Sequence, residues 1–185
     1  MSKKKITRLI YALLILLITG YIVPMLLHQQ KAPTKEQNPV VTVSPLPAPQ
    51  IAKVTRVIDG DTVEIETGQK VRYIGMDTPE MPSKNKKADC FALEATEKNK
   101  EIVLGKTVRL QTDVSDTDKY GRLLRYVFLN EPTASGSGLF VNKFLLEEGY
   151  ATVLTIPPDV AFSDSFRTAQ KEAMKQNKGL WGECK

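Results

Sequence analysis

The sequence predicts a small α+β domain carried behind an apolar N-terminal segment, and three features of its 185 residues point there. Residues 51–75 alternate apolar and polar side chains in short stretches broken by Asp59-Gly60-Asp61 and Thr67-Gly68-Gln69, the pattern of strands joined by tight turns. Three later stretches repeat apolar residues at helical spacing, with two further strand patterns among them. Residues 1–50 show neither pattern. They hold one apolar run and then a proline-rich stretch.

Lys3, Lys4, Lys5 and Arg8 precede an apolar run over residues 9–27 that is broken only by Thr19, Gly20 and Pro24. Nineteen helical residues reach roughly 28 Å, which matches a bilayer core of about 30 Å. Residues 1–27 therefore read as a membrane anchor, oriented by its basic flank so that the rest of the chain lies outside the cytoplasm. A cleaved secretory signal is the competing reading. Its apolar region is usually shorter and ends at a small-x-small site, and nothing near residues 25–30 fits that site. Residues 28–50 contain Pro33, Pro39, Pro45, Pro47 and Pro49. No helix survives that proline density, so the segment reads as an extended linker.

The folded domain is expected over residues 51–185. Val54, Arg56 and Ile58, then Val63 and Ile65, alternate around Asp59-Gly60-Asp61, and Asp-Gly between alternating apolar residues signals a hairpin. Residues 70–75 form the third strand. A helix is expected from residue 90 or 91 to 104, ended by Gly105. Strands return at 107–111 and 125–129, and helices at 141–148 and 162–177. The segment 130–138, rich in Ser, Gly and Pro, reads as a hairpin loop. Five short strands with interleaved helices suit a barrel.

Net charge is +5, but 6 of the 26 basic and only 1 of the 21 acidic residues fall in the first fifty positions, leaving the domain with 20 of each. A broad basic footprint for nucleic acid is therefore absent, and any polyanion must be met by a few placed cations. The sole histidine, His28, lies outside the domain, which removes imidazole bases, Ser-His-Asp triads and most catalytic zinc sites. Two cysteines cannot make a four-ligand zinc site. Outside the membrane, a Cys90–Cys184 disulfide is permitted and expected; two unrelated thiols are the alternative.

The tools left are carboxylates, arginines, hydroxyls and a hard metal. Asp59 and Asp61 sit at the hairpin turn, while Asp77, Thr78 and Glu80 come after the third strand. Oxygen ligands of this kind suit Ca²⁺ or Mg²⁺. Taken singly, each segment is as well read as turn chemistry or a strand terminator. Asp113, Asp116 and Asp118 do not fit a calcium-binding helix–loop–helix, because the required glycine and terminal glutamate fall on Asp118 and Val127. Residues 119–122 read as a solvated turn carrying a cation.

Four motifs in order then resemble the staphylococcal nuclease (thermonuclease) family: V-I-D-G-D-T at 57–62, R-Y-I-G-M-D-T-P-E at 72–80, D-K-Y-G-R at 118–122 and G-L-W at 179–181. The resemblance covers about residues 53–181. It implies a five-stranded OB-type barrel with three helices and Ca²⁺-dependent hydrolysis of DNA and RNA phosphodiesters by a monomer. It also implies that Asp61, Asp77 and the Thr78 carbonyl ligate Ca²⁺, with Asp59 supporting the ion. Glu80 would be the general base or would orient the attacking water; both remain open. Arg72 and Arg122 would contact the scissile phosphate, and Lys119 and Tyr120 the substrate. Residues 155–157, Thr-Ile-Pro, stand where the family has base-stacking tyrosines, which leaves base contact and end preference open. Two other classes remain: a catalytically silent module binding single strands, and a surface protein with structural calcium. On these roles, replacing either arginine should cost activity with little loss of folding.

Overall fold

The computed structural model describes residues 50–129 and 138–184, together with Lys4, Tyr11, Leu13, Ile15, Leu16, Ile18 and Gly20. Those seven positions are helical and exposed. Most of the predicted span at 9–27, the linker at 28–49 and most of the 130–138 loop lie outside the described residues. Among the described residues, no helix is long and apolar enough to cross a membrane. The chain divides into two units, Met1–Pro45 and Leu46–Lys185, and the second holds the domain.

Strands β1 (Gln50–Val57), β2 (Thr62–Ile65) and β3 (Lys70–Tyr73) form the meander, succeeded by a two-residue β4 (Met76–Asp77). Helix α1 (Ala92–Val103) leads to β5 (Thr107–Gln111), β6 (Leu123–Leu129) and β7 (Leu139–Phe140). Helix α2 (Val141–Glu147), β8 (Thr152–Val153), α3 (Ser163–Lys175) and the one-turn α4 (Leu180–Glu183) complete the chain. The sheet runs β3-β2-β1-β5-β6-β7, and a further pairing between β3 and β6 closes five strands into a barrel. That closing pair is parallel, whereas its neighbours are antiparallel, an arrangement consistent with an OB-type fold.

Alternation explains most of the interior. Val71 and Tyr73 of β3, Val108 and Leu110 of β5 and Val63 and Ile65 of β2 are buried, and the residues between each pair, Arg72, Arg109 and Glu64, are less so. In β1 the register shifts between Val54 and Arg56. This bulge turns both Thr55 and Arg56 outward, so the inward set becomes Ala52, Val54 and Val57 rather than an unbroken alternation ending on Ile58. Val141, Leu145 and Leu146 of α2 and Phe166 and Ala169 of α3 extend the same core. Gly75 (φ 82°) admits this packing, since a Cβ there would lie 2.5 Å from the Phe166 ring.

Buried Asn142 ties the helical layer to the barrel: its Oδ1 accepts from Val127 N–H at 2.8 Å and its Nδ2 donates to the Ile74 carbonyl at 3.0 Å. Cys90 and Cys184 form a disulfide with Cα atoms 5.8 Å apart. The bond closes 94 residues of sequence between the start of α1 and the end of α4.

Candidate active site

Three segments converge beside the barrel mouth: the β1–β2 turn, the end of β3 with β4, and the loop before β6. Arg72 is the centre of the first two. Its side chain is only 12% exposed. Nη1 donates to the carbonyls of Tyr73 at 3.1 Å and Met76 at 2.9 Å and lies 3.0 Å from Asp61 Oδ2; Nη2 donates to Asp77 Oδ1 at 2.5 Å. One guanidinium thus bridges two carboxylates. Its Nε–H has no acceptor among the described residues.

Asp61 is buried, and its Oδ2 also accepts the Thr78 N–H at 2.9 Å and the Thr78 hydroxyl at 3.0 Å, while Oδ1 accepts the Thr62 hydroxyl at 3.0 Å. The turn and the β4 segment can approach this closely because residue 60 is glycine. A Cβ on Gly60 would stand 2.7 Å from the Thr78 side chain. Asp59 Oδ1 accepts the Asp61 N–H at 3.1 Å, closing the turn. A buried chain from the barrel supports this turn: Tyr73 OH donates to Asn99 Oδ1 at 3.0 Å, and Asn99 Nδ2 donates to the Asp59 carbonyl at 3.1 Å.

Burial first, then the adjacent Asp61 charge, push the Asp59 carboxyl up to about 6. Asp77 is also raised: partial burial and Asp61 outweigh the opposing pull of Arg72. Three carboxylates, those of Asp59, Asp61 and Asp77, are grouped here around the single Arg72 guanidinium. That chemistry fits a hard divalent cation held by Asp61 and Asp77 and completed by water. The protein's share would be small, since among the described residues no three Asp, Glu, His or Cys side chains group as a metal cage.

The third segment owes its place to the closing strand pair. Arg72 is in register with Leu124 of the parallel β6, which puts Arg122 two residues, about 7 Å, back from that point, just before β6 begins. Asp118 holds Arg122 in place. Its Oδ1 accepts the N–H groups of Tyr120 at 2.9 Å and Arg122 at 3.0 Å, and its Oδ2 accepts Arg122 Nε at 2.6 Å. Both Nη groups of Arg122 are without an acceptor among the described residues. The guanidinium lies 5.5 Å from the centre of the exposed Tyr120 ring, and Lys119 Nζ lies 5.0 Å from the same ring. Burial would raise the Asp118 carboxyl, but the hydrogen bonds from Arg122 and Tyr120 prevail and hold it below its ordinary value. Arg72, Arg122, Lys119 and Tyr120 line one groove of about 420 Å³ together with Leu154, Ile156 and Pro157.

The family described as staphylococcal nuclease homologue matches residues 70–183 of the sequence. The chain belongs to that family. A thermonuclease of Staphylococcus hyicus is 36% identical over 135 residues, covering 71% of this chain and 76% of that one. Endonuclease YncB of Bacillus subtilis is 35% identical over 161 residues, covering 83% and 69%. A thermonuclease of Staphylococcus intermedius is 37% identical over 131 residues, covering 69% and 74%.

Within this member of the staphylococcal nuclease family, the structure brings Arg72, Asp61, Asp77, Thr78 and Asp59 together as one hydrogen-bonded cluster. It sets Arg122, Tyr120 and Lys119 on the same groove as Arg72. Glu80 is exposed, three residues beyond Asp77, and its backbone rather than its carboxylate is bonded: its N–H donates to Asp89 Oδ2 at 3.1 Å and its carbonyl accepts the Asp89 N–H at 2.9 Å. Thr78 meets Asp61 through its N–H and hydroxyl. Of the tripeptide at 155–157, Ile156 and Pro157 line the groove as an aliphatic wall.

Sequence reasoning missed how the second acidic cluster works. Asp113 Oδ2 accepts from Tyr126 OH and from Ala161 N–H, each at 2.9 Å. Asp116 Oδ1 accepts from the buried Arg125 at 2.7 Å. Asp159, also buried, accepts the N–H groups of Val114 at 3.0 Å and Ser115 at 2.8 Å. These residues brace the loop that presents Tyr120 and Arg122, so the turn at 119–121 is solvent-exposed, as expected, but stands on a built base. The failed calcium-loop pattern was the one available hint.

Proposed function

We propose that this chain is a Ca²⁺-dependent nuclease that hydrolyses DNA and RNA phosphodiesters outside the cytoplasmic membrane. Residues 1–27 would anchor it there, or release it if they are cleaved as a signal. The observation that supports the reading is that Arg72 and Arg122, each with donors to spare, line one groove, and that Arg72 also pairs with Asp61 and Asp77.

A phosphodiester under attack gains negative charge on its equatorial oxygens, and guanidiniums aimed at that charge stabilise the transition state. The Nε edge of Arg72 and the Nη edge of Arg122 suit this role, since a planar fork pairs two phosphate oxygens at once. Asp61, Asp77 and the Thr78 carbonyl would hold Ca²⁺, with Asp59 behind them. Bound there, the ion supplies Lewis-acid stabilisation of the phosphoryl oxygens. Glu80 would orient the attacking water or accept its proton; its exposed carboxylate is available for either task. Lys119 and Tyr120 would meet the flanking nucleotide, with Ile156 and Pro157 offering apolar contact in place of aromatic stacking.

The test is to incubate the full chain with linear DNA and with RNA, in Ca²⁺ and in chelator. Cleavage of both in Ca²⁺ that stops on chelation is expected. Cleavage that survives chelation removes the ion from the account, and tight binding in Ca²⁺ without cleavage makes the domain a silent binding module.

A further inference from the structure

The Glu80 side chain has no hydrogen-bond partner among the described residues, yet the backbone around it is held from the far side of a nine-residue excursion. The Glu80 N–H donates to Asp89 Oδ2 at 3.1 Å, and the Asp89 N–H donates back to the Glu80 carbonyl at 2.9 Å. The two residues therefore clasp each other in both directions, closing residues 81–88 into a loop. Within it, Ser83 and Lys86 pair as an isolated antiparallel bridge, and Lys86 Nζ donates to Asp89 Oδ2 at 2.8 Å. The same carboxylate oxygen thus serves the Glu80 amide and the Lys86 ammonium.

Beyond Asp89 the backbone is pinned at successive residues. Cys90 is bonded to Cys184. Phe91 takes a left-handed backbone (φ 70°), an uncommon state for a large residue, and its ring stacks on Tyr150 with centroids 5.5 Å apart. Ala92 N–H then donates to the Asp89 carbonyl at 3.2 Å as α1 begins. Asp89 is thus the last residue before a cross-linked, packed helix start. Glu80, by contrast, comes after Pro79, three residues past the end of β4, and is exposed.

We propose that Asp89 is a positioning residue for Glu80: its carboxylate, anchored by the disulfide-linked start of α1, fixes the backbone from which the Glu80 side chain reaches the water. The inference rests on the proposed hydrolytic role of Glu80. Lys86 contributes in two ways, by holding the Asp89 carboxylate that accepts the Glu80 amide and by a direct electrostatic attraction to Glu80. The Lys86–Asp89 pair is exposed at both ends, 54% and 41%, so salt screens it. The backbone clasp does not depend on it.

The test compares Asp89→Ala, Asp89→Asn and Lys86→Ala in the full chain, reading kcat and KM on DNA together with amide hydrogen exchange at Glu80. Asp89→Ala should lower kcat between about tenfold and a hundredfold, as expected when a catalytic group drifts by an ångström or less. KM and exchange at Arg72 should stay unchanged, while the Glu80 amide loses protection. Asp89→Asn should recover most of kcat and protection, because its amide oxygen still accepts the Glu80 N–H. Lys86→Ala should do less harm than Asp89→Ala. Unchanged kcat and unchanged Glu80 exchange in Asp89→Ala would overturn the proposal. A uniform fall in kcat and in protection across the domain would also overturn it, by showing a purely structural role. A wild-type chain that does not cleave would instead remove the nuclease reading, and Glu80 exchange would still report on the clasp alone.

Discussion

The two arginines of the groove are held in opposite ways, and the contrast separates catalysis from architecture. Arg72 emerges from the barrel sheet, is nearly buried, and pairs with Asp61 and Asp77 at once. Arg122 rides on a braced surface loop and answers to one carboxylate, Asp118, with its own side chain 28% exposed. Removing a cation from the first setting strands buried negative charge. Removing it from the second leaves Asp118 with the N–H groups of Tyr120 and residue 122 still donating to its Oδ1. An arginine proposed to serve the phosphate can thus also be a keystone of the fold, and the sequence alone does not reveal which of the two is one.

Replacing Arg72 by Ala should give the largest effect. Loss of one donor set at the transition state predicts a fall in kcat of about a hundredfold to a thousandfold. The uncovered Asp61, buried with its Thr78 and Thr62 donors, predicts about 3 kcal/mol or more of lost stability as well. This revises the expectation drawn from the motif, that either arginine could go with little loss of folding. Denaturant unfolding in Ca²⁺-free buffer measures the second effect directly. An Arg72→Ala protein as stable as wild type would show that Asp61 finds other compensation.

Arg122→Ala should lower kcat by about a hundredfold but cost less stability than Arg72→Ala, about 1 to 2 kcal/mol, since Asp118 keeps its two backbone N–H donors. The comparison breaks if the two variants lose the same stability. It sharpens if cleavage by Arg122→Ala is impaired while its Ca²⁺ affinity matches wild type.

The smallest predicted effect is a pH dependence confined to the Arg122 loop. The folded-state pKa of Asp118 is lowered, so its contribution is present above the ordinary carboxylate range and is lost as pH falls through the lowered value. Amide protection at Tyr120 and Arg122 should therefore decline in acid below the ordinary value of 3.8, ahead of the barrel strands. Protection that is flat down to the acid unfolding of the barrel would remove Asp118 from the bracing role.

How far the sequence could be read depends on the range of the forces involved. The meander, the three long helices and the Asp-Gly turn are written locally, in periodicity and turn chemistry, and were legible. The β1 bulge was not, because a single extra residue leaves the apolar count intact and changes only which side chains face inward. Strands β4 and β8 pair Met76 with Val153 and Asp77 with Thr152; two residues carry no period, so only the fold brings them together. At the site, motif order placed Arg72, Asp61, Asp77 and Glu80 in one neighbourhood. The bridge of Arg72 between two carboxylates, the Tyr73–Asn99–Asp59 support and the Asp89 clasp depend on partners distant in sequence, and no local pattern announces them. The apolar span at 9–27 and the proline-rich linker were read from composition alone and remain expectations.

Single-turnover cleavage of one DNA substrate by the wild-type chain and by Glu80→Gln, at saturating Ca²⁺ and with Ca²⁺ binding measured in parallel, tests the central claim most directly. The account predicts that the glutamine variant binds the ion as wild type does and cleaves at least about a hundredfold more slowly. Equal cleavage rates would contradict it, because the reaction would then belong to some other part of the molecule.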